Sequence, residues 1–91
     1  MPSDVSGNAA RDFIEFVVKN IVDAPDAVEV TMTVDSLGVL ITLRVAQPDM
    51  GKIIGKSGQT AKSLRVLLRM MGAKNDARYN LKIVEPDGTV S

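Results

Sequence analysis

The chain contains no cysteine, no histidine and no tryptophan. Without a thiol or an imidazole there is no Ser-His or Cys-His nucleophile and no thiolate or imidazole metal site. Carboxylates such as Asp12, Glu15 and Asp49 show no partner arrangement for acid-base work. No catalytic residue, metal or cofactor is therefore expected, and the chain does not read as an enzyme. Aromatic residues are limited to Phe13, Phe16 and Tyr79, too few for a sheet platform on which bases stack. No apolar run exceeds three residues, so neither a signal peptide nor membrane insertion is predicted. The lack of cysteine fits a reducing interior, and a cytoplasmic location is expected.

What is present begins with size: 91 residues, 45% of them hydrophobic, suffice for one core and one domain. Net charge is zero, with eleven basic and eleven acidic residues. Their distribution is uneven. Met1 to Asp49 holds eight acids and three bases, whereas Met50 to Asn75 holds six bases (Lys52, Lys56, Lys62, Arg65, Arg69, Lys74) and no acid. The neutral total thus hides a basic block of the kind that meets a polyanion.

Met1 to Gly7 is polar and broken by Pro, Ser and Gly, and reads as a flexible leader. From Asn8, a candidate N-cap, the residues Ala10, Phe13, Ile14, Val17, Val18, Ile21 and Val22 recur at helical spacing. The helix must stop before Pro25. Val28, Val30, Met32 and Val34 alternate with polar residues as a half-buried strand. After a turn at Ser36, Leu37 and Gly38, the pattern resumes with Val39, Ile41, Leu43 and Val45, which predicts an antiparallel hairpin. Asp49 can cap a short helix bracketed by Gly51 and Gly55. A longer helix follows with Ala61, Leu64, Leu68 and Met71 on its buried face, and Gly72 is placed as its C-terminal cap. Lys62, Arg65 and Arg69 lie within about sixty degrees of one another on another face. Tyr79, Leu81 and Ile83 form a last strand, and residues 86–91 read as a flexible tail.

The order is helix, strand, strand, short helix, helix, strand. Because two helices separate the second strand from the third, that pair should be parallel, beside an antiparallel first strand. The result is an α+β fold, a three-stranded mixed sheet with helices packed on one face. Thr31, Thr33, Thr42, Arg44, Asn80 and Lys82 are expected on the open face.

The densest motif is Gly51-Lys-Ile-Ile-Gly55-Lys56-Ser57-Gly58, between the two later helices. A phosphate-binding P-loop would need Gly where Met50 stands, and Gly51 leaves one residue too few. The other reading is a Gly-x-x-Gly clamp, Gly55-Lys56-Ser57-Gly58. Its glycines let a sugar-phosphate chain approach the backbone, and the amides at the start of the next helix point toward an anion. Lys56 supplies a mobile cation and Ser57 a hydroxyl donor. Ile54 would give bases an apolar floor, and Lys52, Lys62 and Arg65 would flank the phosphate path.

With Ile53-Ile54 before the clamp and Lys62 and Arg65 after it, the chain from Asn8 to Glu85 resembles the KH domains of bacterial type II topology. The stretch from Gly51 to Arg65 is similar to the small stand-alone KhpA family. The resemblance implies a type II KH fold over residues 8–85. It further implies a groove for about four nucleotides of single-stranded RNA, walled opposite the clamp by the 72–77 loop and the last strand, with Lys74 and Arg78 near the rim. Also implied is a role in bacterial RNA regulation linked to growth and division, as a homodimer or a heterodimer with a larger KH-containing protein. One departure is Ala61, where many KH domains carry a bulky aliphatic residue. Set against these roles are structural ones: Gly55 and Gly58 can be a tight turn only, at least one of Ile53 and Ile54 must be core, and a basic helix face can be merely solvated. A second function is also open, a protein-protein interaction module presenting Val66, Leu67 and Met70 outside the main stripe, with RNA contact secondary.

Overall fold

The computed structural model describes residues 8–55, 58–74 and 76–85. The expected leader 1–7 and tail 86–91 lie outside these residues, as do Lys56 and Ser57. Helix α1 spans Asn8–Lys19, strands β1 and β2 span Glu29–Asp35 and Gly38–Arg44, helices α2 and α3 span Met50–Ile53 and Gln59–Lys74, and β3 spans Tyr79–Val84. The order and the α+β class are those predicted from the sequence.

Strict alternation builds the sheet. β1 pairs antiparallel with β2, Val30 opposite Leu43 and Met32 opposite Ile41, and β2 pairs parallel with β3, Ile41 opposite Leu81 and Leu43 opposite Ile83. β2 is central, so β1 and β3 are the two edges. Ile14 and Val18 of α1, Ile53 of α2, and Leu64 and Leu68 of α3 meet Ile41, Leu43 and Ile83 in one core. α1 packs over β1 and α3 over β3. Asn80 and Thr42 stay on the wet side, as alternation demands.

Four local expectations need correction. α1 ends at Lys19, short of Val22, where Asn20 turns its side-chain amide back to donate to the Phe16 carbonyl at 2.7 Å. Beyond that point the helical step no longer applies, and Ile21, expected in the buried stripe, is 37% exposed. Val34, expected to be buried, is 58% exposed near the turn end of the edge strand β1. The hairpin turn is Ser36-Leu37 alone, closed by the Leu37 amide donating to Asp35 Oδ1 at 2.7 Å, and Gly38 is already the first residue of β2.

The fourth correction concerns Gly72. The helix runs two residues past it, so it is not a cap. The chain reverses through Asp76, which takes a left-handed φ of 53°, and the Ala77 amide donates to the Gly72 carbonyl at 2.8 Å. A Cβ on Gly72 would lie 2.5 Å from the Ala77 carbonyl oxygen. Glycine is needed there for close approach, which a sequence cannot distinguish from a cap. Gly72→Ala should therefore destabilise the fold by about 1–3 kcal/mol through overpacking, outweighing the roughly 1 kcal/mol that alanine gains in helix propensity. A urea denaturation midpoint equal to or above that of the wild type would contradict this.

Candidate nucleic-acid interface

The α2–α3 junction follows from burial on both sides of it. Ile53 is fully buried and Ile54 half-buried against the core, so α2 cannot continue outward, and Ala61 and Leu64 bury the start of α3. Between them Gly55 has φ 62° and Gly58 φ 64°, both left-handed. A Cβ at either glycine would find room, with its nearest neighbour a carbonyl oxygen at 3.6 Å. The backbone conformation, not space, selects glycine here. The Lys62 amide donates to the Gly58 carbonyl at 2.9 Å, so the helix ladder starts there and the amides before it have no acceptor within the helix.

A trough lies where α3 meets the edge strand β3. Its narrower part, about 140 Å³, is lined by Arg65, Arg69, Tyr79, Asn80 and Leu81. It shares Arg69, Tyr79 and Asn80 with a wider part of about 510 Å³ that adds Ala73, Ala77 and Arg78. No acidic side chain lines either part among the described residues. Arg65 thus joins Arg69 and Arg78 in lining one groove. Sequence reasoning missed Asn80, assigning it to the open face alone. Alternation does point it there, but β3 is an edge strand and Asn80 reaches the groove from that edge; which strand is outermost is a tertiary fact.

Lys62 is exposed and lines a neighbouring depression of about 370 Å³ with Gln59, Ser63, Val66 and Leu67, on the outer side of α3. Lys52 lies elsewhere. Its ammonium donates to Asp23 Oδ2 at 2.8 Å and sits 3.8 Å from Asp49 Oδ1. Among the described residues no group of three carboxylates could hold a metal ion, and no helix is long and apolar enough to cross a membrane.

A family model for the KhpA/KhpB KH domain matches residues 11–83, which include the junction and both parts of the trough. The chain belongs to the KhpA/KhpB KH-domain family. It is 39% identical over 75 residues to the RNA-binding protein KhpA of Chlamydia caviae, covering 82% of this chain and 96% of that protein. It is likewise 39% identical over 74 residues to the RNA-binding protein KhpA of Borreliella burgdorferi, covering 81% and 90%, and 38% identical over 75 residues to that of Listeria monocytogenes, covering 82% and 99%. No solved structure gives a significant match. The family is not one of enzymes, and its fold is the type II KH arrangement described above.

Asp49 does not play the role expected of it. Its side chain makes no capping bond to α2. Instead it is 1% exposed and accepts the backbone amides of Asp23 and Ala24 at 3.1 and 3.0 Å. A carboxylate seeks the nearest unpaid amides, and those of the loop after α1 are brought close only by the fold. The Asp23 amide above all holds the Asp49 carboxyl below its ordinary value; burial opposes this, and the Ala24 amide and the Lys52 ammonium assist. Lys52 is pushed upward, first by its hydrogen bond to the Asp23 carboxylate. A depressed carboxyl pKa stabilises the fold above the unfolded value, near 3.8, and that contribution is lost as pH falls through the lower folded value. The raised Lys52 contributes below 10.5 and is lost as pH rises through its folded value. In thermal melts, the gap between wild type and Asp49→Asn should be constant around neutrality and close below pH 3.8. A gap that persists in acid would mean the charge of the carboxylate is not what binds the two amides.

Proposed function

We propose that this protein is a non-enzymatic RNA-binding domain that holds short single-stranded RNA, with Gly55 to Gly58 against the sugar-phosphate backbone. The observation that carries this reading is the pair of left-handed glycines before α3, the helix whose Arg65 and Arg69 line, with Arg78, a trough that no described acid enters. Phosphates lie along Lys56, Lys62 and Arg65, with the Ser57 hydroxyl and the first amides of α3 as further donors. Bases lie over Ile54 and toward β3, with little sequence preference, because phosphate contacts carry no sequence information. The names of the relatives, RNA-binding protein KhpA, support the ligand class. The resemblance extends the proposal to the cytoplasm and to bacterial RNA regulation linked to growth and division.

Replacing Lys56 and Ser57 together by Asp should abolish RNA binding with the melting temperature unchanged, because the new carboxylates oppose phosphate. Unchanged affinity in the folded variant would remove the clamp from the mechanism. Salt gives a quantitative test. Three neutralised phosphates at a single-strand coefficient of about 0.7 each predict a log-log slope of about −2, an affinity loss of about 20-fold between roughly 50 and 200 mM salt. Lys62→Ala with Arg65→Ala should flatten that slope by about 1.4 for two unrelated oligonucleotides alike. A slope that the double substitution leaves untouched would make the α3 cations a solvated face.

A second reading concerns the outer side of α3, where Val66 is 44%, Leu67 40% and Met70 63% exposed beside the 370 Å³ depression. Three apolar residues on one helix face, outside the core, fit contact with a second KH chain, either another copy or a larger KH-containing partner. Leu67→Glu should then give a folded monomer by sedimentation, at a stability cost within about 0.5 kcal/mol for so exposed a position. A folded variant that sediments as the wild type does would reject this face.

A further inference from the structure

We propose that Asp49 and Lys52 are positioning residues for the clamp: they strap α2 to the loop after α1 and so fix where Gly55 stands, and Lys52 does not serve as a phosphate contact. The proposal rests on the RNA-clamp reading above and concerns residues outside the trough.

α2 is a single turn, Met50–Ile53, too short to hold itself by its own ladder. Met50 and Ile53 anchor its inner side in the core. Its other attachment is polar. The buried Asp49 carboxylate takes the amides of Asp23 and Ala24, and Lys52, three residues on, reaches Asp23 Oδ2 at 2.8 Å. Residues 23–24 are thereby joined to 49–52 across 25 to 29 residues of chain. Gly55 follows two residues after the end of α2, so a rotation or shift of that turn moves the first clamp glycine directly. The strength of the strap lies in the carboxylate. Charge-assisted bonds from backbone amides to a buried carboxylate are strong, whereas the Lys52–Asp23 pair is 41% and 83% exposed and belongs to the weak class.

The same cluster decides what Lys52 can do. It stands three residues before Gly55, with its ammonium on Asp23 Oδ2. One ammonium stands there among two carboxylates, Asp23 and Asp49, and the local sum is one negative charge. A polyanion gains nothing by approaching that group as a whole, whereas on α3 the cations stand in a segment with no acid. Lys52 therefore contributes by holding the turn.

The test titrates a short fluorescein-labelled oligouridylate into wild type, Asp49→Asn, Asp49→Ala and Lys52→Met across a salt series, at a temperature where each is folded. Amide hydrogen exchange at Ile53, Ile54 and Gly55 is followed in parallel. The Asp49 variants should lose affinity by ~5-fold, the order expected when a pre-organised site must be ordered on binding. Exchange at the three amides should accelerate, Lys52→Met should show a smaller loss, and the salt slope should match the wild type in all of them. A slope flattened by about 0.7 in Lys52→Met would make it a phosphate contact and overturn the proposal. So would folded Asp49 variants with wild-type affinity and wild-type exchange. If Asp49→Ala does not fold, Asp49→Asn and Lys52→Met carry the same comparison. If the wild type binds no RNA, the clamp reading fails by itself, and unaltered exchange in the variants would then remove the strap as well.

Discussion

Parallel pairing of β2 with β3 obliges the chain to leave one end of the sheet at Arg44 and re-enter at the other at Tyr79, which it does by climbing over one face. That crossover assigns α2 and α3 their place. Their apolar sides, Ile53, Leu64 and Leu68, have to fill the space above Ile41, Leu43 and Ile83, and whatever is polar in them has to look outward. It also requires a change of direction between two helices inside one connection, which the chain makes at residues 54–58. With β3 at the sheet edge, part of the seam between α3 and β3 is open, Arg65 to Ala73 beside Tyr79 to Leu81, and that part is the trough. Junction and groove are in this sense two results of one topological demand, and the basic block lies in the segment that makes the crossover.

Electrostatics divides along the same line. The ion pairs Arg11–Asp12, Arg11–Glu15, Lys19–Glu15 and Lys52–Asp23 all involve α1 or the loop after it. Two of them are pairs four residues apart on one helix, worth a few tenths of a kcal/mol each. Their larger effect is to consume positive charge: Arg11 and Lys19 within the acidic half of the chain, and Lys52 from the basic block. α3 contains Lys62, Arg65, Arg69 and Lys74 with no acid, so its field is not cancelled within its own element. Zero net charge is compatible with a directed field because the two signs occupy different elements.

Much of the fold was legible because it depends on short-range pattern. The period-two runs in Val28 to Val45 and Tyr79 to Ile83, and the stripe Ala61, Leu64, Leu68, each contain their own evidence of which side is buried. Gly55 and Gly58 were legible because their spacing and their place between helices coincide. Asp49 was misread because an aspartate before a helix is locally indistinguishable from a cap, while its actual donors are 25 and 26 residues away. Gly72 was misread for the same reason, its function being the approach of Ala77. Val34 and Asn80 needed knowledge of which strands are edges. For the candidate site this means the two left-handed glycines were readable, the arginines of the trough partly so, and the contacts behind α2 not at all.

The two left-handed glycines also restrict what mutation can supply at those positions. A backbone held near φ +60° excludes β-branched and bulky residues and is tolerated, after glycine, mainly by asparagine and aspartate. In the genetic code, glycine reaches aspartate by a single base change but asparagine only by a double one. The backbone-compatible substitution that arises most readily is thus the one that sets a carboxylate just before a helix with four cations and no acid. Conformation and charge close off each other's alternatives, and the clamp has almost no neighbouring sequence into which it can drift.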